Sequence, residues 1–147
     1  MPRQDIIERT ITIDSPIDRV WDALTVAEHL AAWFGDLAEI DLRPGGAMKV
    51  GWTEYREEIA CVVERVEYPT SFSFAWDAGV DENGSSWSTL VEFTLDESEG
   101  RTTVTVVESG LAVLPDSLYD RTLESNTTGW KAEFEDLIQY VTALATR

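Results

Sequence analysis

Apolar and polar positions alternate over most of the first 109 residues, and this two-residue period gives way to a helical spacing at two places. From Ile6 to Asp14 the chain sets Ile7, Arg9, Ile11 and Ile13 against Glu8, Thr10 and Thr12. Alternation with this much β-branching predicts a strand. Ser15-Pro16 follows, with Asp18 three residues after Ser15. That order predicts a helix start, with Ser15 as the cap and Pro16 in the first turn. Val20, Trp21 and Leu24, joined by Ile17, form its apolar face. The pattern continues through Ala27, Leu30, Ala31, Trp33 and Phe34 as a second short helix that Gly35 stops.

Strand periodicity then returns. Leu37 to Leu42 reads as a short strand and Arg43-Pro44-Gly45-Gly46 as a turn, followed by Ala47 to Trp52 with Met48, Val50 and Trp52 on one face. Tyr55 to Glu67 is a longer strand in which Ile59, Cys61 and Val63 share a face. Val66 falls out of phase there, which predicts a bulge or twist near Glu64 or Arg65. After the turn at Tyr68-Pro69-Thr70, Phe72, Phe74 and Trp76 alternate cleanly with small or polar neighbours. A hairpin loop is expected over Ala78 to Ser86. Trp87, Thr89, Val91, Phe93 and Leu95 then share a face, and past an acidic turn the last strand runs from Arg101 to Ser109. Val104 and Val106 point inward there, with Glu108 on the same parity.

The helical spacing resumes from Pro115 to Thr146, where Leu123, Trp130, Phe134, Leu137, Ile138, Val141 and Leu144 fall on one face. Its N-terminal half is less apolar. Asn126 and Thr127 lie in the same stripe, and Gly129 sits mid-helix at a cost of about 1 kcal/mol relative to Ala. Strands joined by short turns build an antiparallel sheet, and the long helix is the element available to cover one face of it. The fold class is α+β.

Composition narrows the function. The formal charge is −17, from 28 acidic against 11 basic residues. Such an excess repels phosphate backbones and anionic lipid, so no nucleic-acid and no membrane partner is expected. No apolar run approaches the roughly 18 residues of a membrane helix. Met1-Pro2-Arg3-Gln4-Asp5 lacks the apolar stretch of a signal peptide, so a cytoplasmic location is expected. Cys61, the single cysteine, stands among Ile59, Ala60, Val62 and Val63 and reads as a buried, inert thiol.

Ser15-Pro16-Ile17-Asp18-Arg19-Val20-Trp21-Asp22-Ala23-Leu24-Thr25 resembles the start of the START-like, or SRPBCC, superfamily. Trp33-Phe34-Gly35, Asp41-Leu42-Arg43-Pro44-Gly45-Gly46, and Gly129-Trp130 with Leu137 and Leu144 downstream, are similar to one branch of it. That branch is related to the C-terminal domain of the activator of heat-shock-protein-90 ATPase. The likeness covers essentially the whole chain in order. It implies one helix-grip domain over residues 1–147, with a curved sheet gripping the C-terminal helix around a cavity that often holds an apolar ligand. One departure is Tyr68-Pro69, where relatives often carry two prolines. At 147 residues the chain is too short for the additional N-terminal domain of the co-chaperone that gives the branch its name.

Strand parity supplies the expected cavity residues: Trp33, Phe34, Met48, Val50 and Trp52 from the first half of the sheet region, then Phe72, Phe74, Trp76, Trp87 and Phe93. The helix adds Asn126, Thr127 and Trp130. So many large rings converging from sheet and helix exceed what a dry core of this size usually needs. Glu108, Asn126 and Thr127 are the polar candidates. Inside the cavity Glu108 would be a candidate acid or base, but its place near a strand end favours exposure to solvent. His29, the only histidine, has no ligand spacing around it, no G-x-S-x-G elbow exists, and Gly45-Gly46 lacks the rest of a phosphate loop. No catalytic constellation, metal or cofactor is therefore expected. The leading expectation is a protein that binds a small hydrophobic molecule, as a monomer or a homodimer. Two alternatives stay open: an enzyme acting on an aromatic or polyketide-like substrate, and a chaperone-interacting module using the acidic surface.

Overall fold

The alternating stretches become seven strands in the computed structural model, which describes residues 3–145. They are β1 (Ile7–Ile13), β2 (Leu37–Ile40), β3 (Ala47–Trp52), β4 (Glu57–Glu67), β5 (Ser71–Val80), β6 (Ser86–Ser98) and β7 (Arg101–Ser109). The helical stretches become α1 (Ile17–Thr25), α2 (Ala27–Trp33) and α3 (Asp116–Ala145). All seven strands join one antiparallel sheet in the order β1-β7-β6-β5-β4-β3-β2. Only the β1–β7 pairing links distant parts of the chain, so the sheet is a meander closed by its first strand. Laid across one face, α3 gives the helix-grip, α+β architecture.

Parity decides what that face buries. Phe72 and Phe74 on β5, Phe93 on β6, and Val104 and Val106 on β7 are essentially sealed from water. From α3, Phe134, Leu137 and Val141 close on them, with the Phe93 and Phe134 rings stacked at 6.2 Å. Each such side chain contributes roughly 1.5–3 kcal/mol on burial, which clamps the C-terminal half of α3 to the sheet. Trp21 of α1 meets Phe72 edge-on at 6.3 Å and seals the other end. Trp33 of α2 donates its indole N–H to the Ala23 carbonyl at 2.7 Å and so locks the two short helices together.

Several local expectations change. Ser15 does not cap α1: its hydroxyl is buried without a partner, and no side-chain cap is present. The Glu97 carboxylate on β6 instead accepts from the Ile17 N–H at 3.0 Å, so a tertiary contact supplies the anion that a helix N-terminus favours. The hairpin loop is shorter than expected, because β5 runs to Val80 and β6 begins at Ser86. A register shift between Asp77 and Gly79 lets the strands continue past the break in parity. The other shift falls between Val63 and Arg65, beside the residues that the out-of-phase Val66 points to. β4 starts two residues late, after a 3-10 turn at Thr53–Tyr55 and a left-handed Arg56 with φ of 53°. Thr146 lies outside the described residues. Among those described, no helix is long and apolar enough to cross a membrane.

Candidate functional site

Glu108 ends the inward parity of β7, and it is buried completely, with 0% exposure. The expectation of a solvent-exposed carboxylate is therefore corrected. The strand end is flanked on both sides, by Ile7 of β1 and Val91 of β6, and roofed by the N-terminal half of α3. Four side chains donate to it. Trp130 Nε1 reaches one carboxylate oxygen at 2.8 Å, and Thr89 Oγ1 and Trp76 Nε1 reach the other at 2.6 and 3.2 Å. Asn126 Nδ2 bridges both oxygens at 3.1 and 2.9 Å. Trp76 also donates to Thr89 Oγ1 at 3.0 Å, which aims the hydroxyl hydrogen at the carboxylate. Indole and amide N–H groups can only donate, so the cluster matches a carboxylate that accepts throughout. A buried carboxylate is tolerable only when its lone pairs are taken in this way.

The same bonds orient the rings above it. Trp76 and Trp130 stack at 5.6 Å with 28° between their planes, and Phe34 stacks on Trp130 at 5.5 Å and on Trp76 at 6.0 Å. These three buried rings form the floor of a cavity of about 260 Å³ between the sheet and α3. Half-buried Trp52 and Ile59 form a wall, while exposed Tyr55, Glu57 and Ser125 stand at the rim. Asn126, Gly129 and Glu133 complete the α3 side.

Gly129 does not act by close approach to a strand or loop. A Cβ built there would meet no atom within 4 Å. Its missing side chain is open space on the wall of the cavity. The helix therefore gives up about 1 kcal/mol of propensity at a position where packing does not require glycine.

Of the residues that parity brought forward, Phe34, Trp52, Trp76, Asn126 and Trp130 line this cavity, and Glu108 lies beneath it. Trp33, Met48, Val50, Phe72, Phe74 and Phe93 are buried and pack as core. Trp87 belongs to the β5–β6 hairpin, where its indole donates to Asp81 Oδ2 at 2.9 Å. Thr127 is exposed, and its hydroxyl bonds back to the Leu123 carbonyl at 2.6 Å. Tyr55, Glu57, Ile59, Ser125 and Glu133 were missed. Glu133 had a usable signal, since it stands three residues after Trp130 and seven after Asn126, on the same helical stripe.

Glu133 is the unusual group of the site. Half-buried, it has one carboxylate oxygen without a hydrogen-bond partner, while Trp52 bonds to the side chain. Burial, then repulsion from Asp136, pushes its carboxyl from 4.5 up to about 7, with the Trp52 hydrogen bond opposing. The folded protein thus holds this proton more tightly than the unfolded chain, so stability falls as pH climbs from about 4.5 to about 7 and remains lower above. Glu133→Gln is expected to raise the melting temperature at about pH 8 and to change it little near pH 4.5. After discounting for partial exposure the gain is about 1 kcal/mol, or roughly 2–4 °C. Equal melting curves at both pH values would show that the carboxylate is well solvated.

Elsewhere the chemistry is quiet. Burial, with a smaller push from Asp77, raises the Cys61 thiol to about 12, which makes it unreactive. His29 pairs with the Tyr140 hydroxyl across α2 and α3. Among the described residues no group of three or more His, Cys, Asp or Glu side chains is placed to hold a metal.

A curved antiparallel sheet closed by a long C-terminal helix, with a cavity between them, defines a START-like protein of the SRPBCC superfamily. The family model described as Activator of Hsp90 ATPase homolog 1-like protein matches residues 14–142, and the chain belongs to that family. Among solved structures, a protein from Mesorhizobium loti is 23% identical over 94% of this chain and 97% of its own, with a TM-score of 0.82. DynU16, from the dynemicin biosynthetic locus, is 24% identical over 95% of this chain, with a TM-score of 0.77. Only 48% of DynU16 is covered, so this chain spans about half its length. An Hsp90 activator from Plasmodium falciparum is 20% identical over 91% of this chain and 94% of its own, with a TM-score of 0.73. Identities this low establish the fold alone. A comparison with curated proteins found no match.

Proposed function

We propose that the protein binds a small molecule with an apolar or aromatic body in the cavity under α3. One observation carries this reading: a cleft of about 260 Å³ is left between the sheet and α3, floored by the Phe34, Trp76 and Trp130 rings and open at the rim of Tyr55, Glu57 and Ser125. A single Cβ on Gly129 would begin to fill it, and the chain has none there. The Glu108 network holds Trp76 and Trp130 in fixed orientations, so the site is preorganised and a ligand meets little ordering cost. Because Trp52, Trp76 and Trp130 all line the cavity, occupation should change their fluorescence.

A screen of lipids, polyketide-like aromatics and other small apolar molecules, read by tryptophan fluorescence and thermal shift, is expected to give saturable binders. At a concentration of about 100 times Kd, a binder stabilises by roughly 2.7 kcal/mol, which is several degrees of melting temperature. A screen with no binder, together with a cavity that closes in solution, would overturn the reading.

A second reading, an enzyme acting on an aromatic or polyketide-like substrate, draws on Glu133. Its carboxyl sits at the cavity wall and titrates near neutrality, where a general acid or base works best. Glu108 is less suited, because protein donors occupy both of its oxygens. Conversion of a bound screening hit to a product of new mass, abolished in Glu133→Gln while binding persists, would select this reading. The likeness to an Hsp90 activator contributes a shared fold and gives no specific contact for a chaperone.

A further inference from the structure

Every charged side chain that lines the cavity is acidic. Glu133 stands on its α3 wall and Glu57 at its rim, and no lysine, arginine or histidine is among the described residues that line it. Arg121 lies in the adjoining depression near Gly79, outside the cavity itself. The floor and wall present π-systems from Phe34, Trp52, Trp76 and Trp130, with the Tyr55 ring at the opening. Two of those indoles donate their N–H groups to the buried Glu108 carboxylate at 3.2 and 2.8 Å. An anion bonded to the ring edge pushes electron density into the indole and makes its face more negative. Glu133 meanwhile has one carboxylate oxygen buried without a protein donor, and the rest of its half-buried side chain borders the cavity.

We propose that the ligand is an organic cation: an amine or quaternary ammonium group attached to an apolar or aromatic body. This rests on the reading that the cavity is a ligand site, and adds the charge of what fills it. The body fills the space beside Gly129, while the cationic end lies against the Trp52 face and the Glu133 carboxylate. A neutral apolar ligand would leave the acidic wall uncompensated. An anionic one would be repelled by Glu133 and Glu57, with Glu108 adding at longer range. Cation–π attraction, strongest at Trp and enhanced where water is displaced, supplies the selectivity together with the carboxylate.

The test compares benzyltrimethylammonium with neopentylbenzene, its uncharged carbon isostere, and with benzoate, by tryptophan fluorescence titration at low salt and about pH 8.5, where the Glu133 carboxyl has lost its proton. The cation is expected to bind at least about tenfold more tightly than the isostere. Glu133→Gln should weaken the cation about fivefold or more and leave the isostere unchanged. Equal affinities for cation and isostere, or tighter binding of benzoate, would overturn the proposal and leave the cavity reading standing. No response to any of the three would overturn the proposal, and the cavity reading falls with it only if the wider screen gives no binder either. Unchanged cation affinity in Glu133→Gln would overturn the assigned role of that carboxylate, and with it the proposal.

Discussion

Glu108→Gln is expected to cost the protein about 2–4 kcal/mol, a melting temperature lower by roughly 10 °C. The substitution keeps size and shape and replaces one acceptor oxygen with an NH2 group that can only donate. Whichever way the amide turns, that NH2 faces donors. One orientation sets it against Trp130 Nε1, the other against Trp76 Nε1 and the Thr89 hydroxyl, and Asn126 Nδ2 bridges to both sides. In the first the Trp130 N–H has no acceptor; in the second Trp76 keeps only Thr89 Oγ1, and the Thr89 hydroxyl hydrogen loses its acceptor. Leaving such a group unpaired costs about 1–3 kcal/mol, and the loss of charge-assisted bonds adds to it. The near-ultraviolet circular dichroism should weaken as well, since either Trp76 or Trp130 loses a bond that fixes its plane. A change under about 1 kcal/mol, with the aromatic signal intact, would mean that ring packing alone orients the floor. Buried ionic networks are often no more stabilising than a well-packed apolar substitute, so the contribution of this one is orientation.

Gly129→Leu should separate stability from binding. The position is helical and its Cβ direction is empty, so Leu restores propensity without a clash, a gain of up to about 1 kcal/mol. Gly129 lines the cavity together with Trp52 and Trp130, so the larger side chain is expected to take up space there. Affinity for a cavity ligand should fall about a hundredfold, because a steric block removes most of its apolar contact. Few substitutions are expected to hold or raise the melting temperature while abolishing a function. A destabilised Gly129→Leu would mean that the glycine is structural. A stable variant with full affinity would place the ligand elsewhere.

The fold was legible because its signals are redundant. Phe72, Phe74 and Trp76 announce an inward face by parity, and Phe134, Leu137 and Val141 announce the matching helix stripe, so each confirms the other. Its errors fall where a tertiary contact overrides a local rule. Ser15 has every feature of a cap, yet Glu97, some 80 residues away, takes that role. Glu108 shows the same conflict. Parity put it inside, and nearness to a strand end put it outside. Parity prevailed because β1, at the far end of the chain, covers β7, and because Asn126 and Trp130 satisfy the carboxylate from above. The cavity itself was half legible. Rings on the inner face could be named, but parity does not distinguish a ring that fills core from one that borders a void. Phe72 and Phe93 lie under α3 where Phe134 packs, whereas Trp52 and Trp76 lie where Gly129 leaves space. That distinction depends on how far α3 stands from each strand. Trp87 was misplaced for a related reason, since the register shift after Asp77 carries its strand end away from the cavity.

The central claim is that the space under the N-terminal half of α3 is where this protein holds its ligand. A crystal structure of the protein with the tightest binder from the screen tests it most directly. The expected result is continuous density for the binder bounded by Trp52, Trp130 and Gly129, with Glu108 and its four donors unmoved. Density for the binder outside that space, with the cavity closed by inward movement of α3 or of the Trp52 ring, would contradict it.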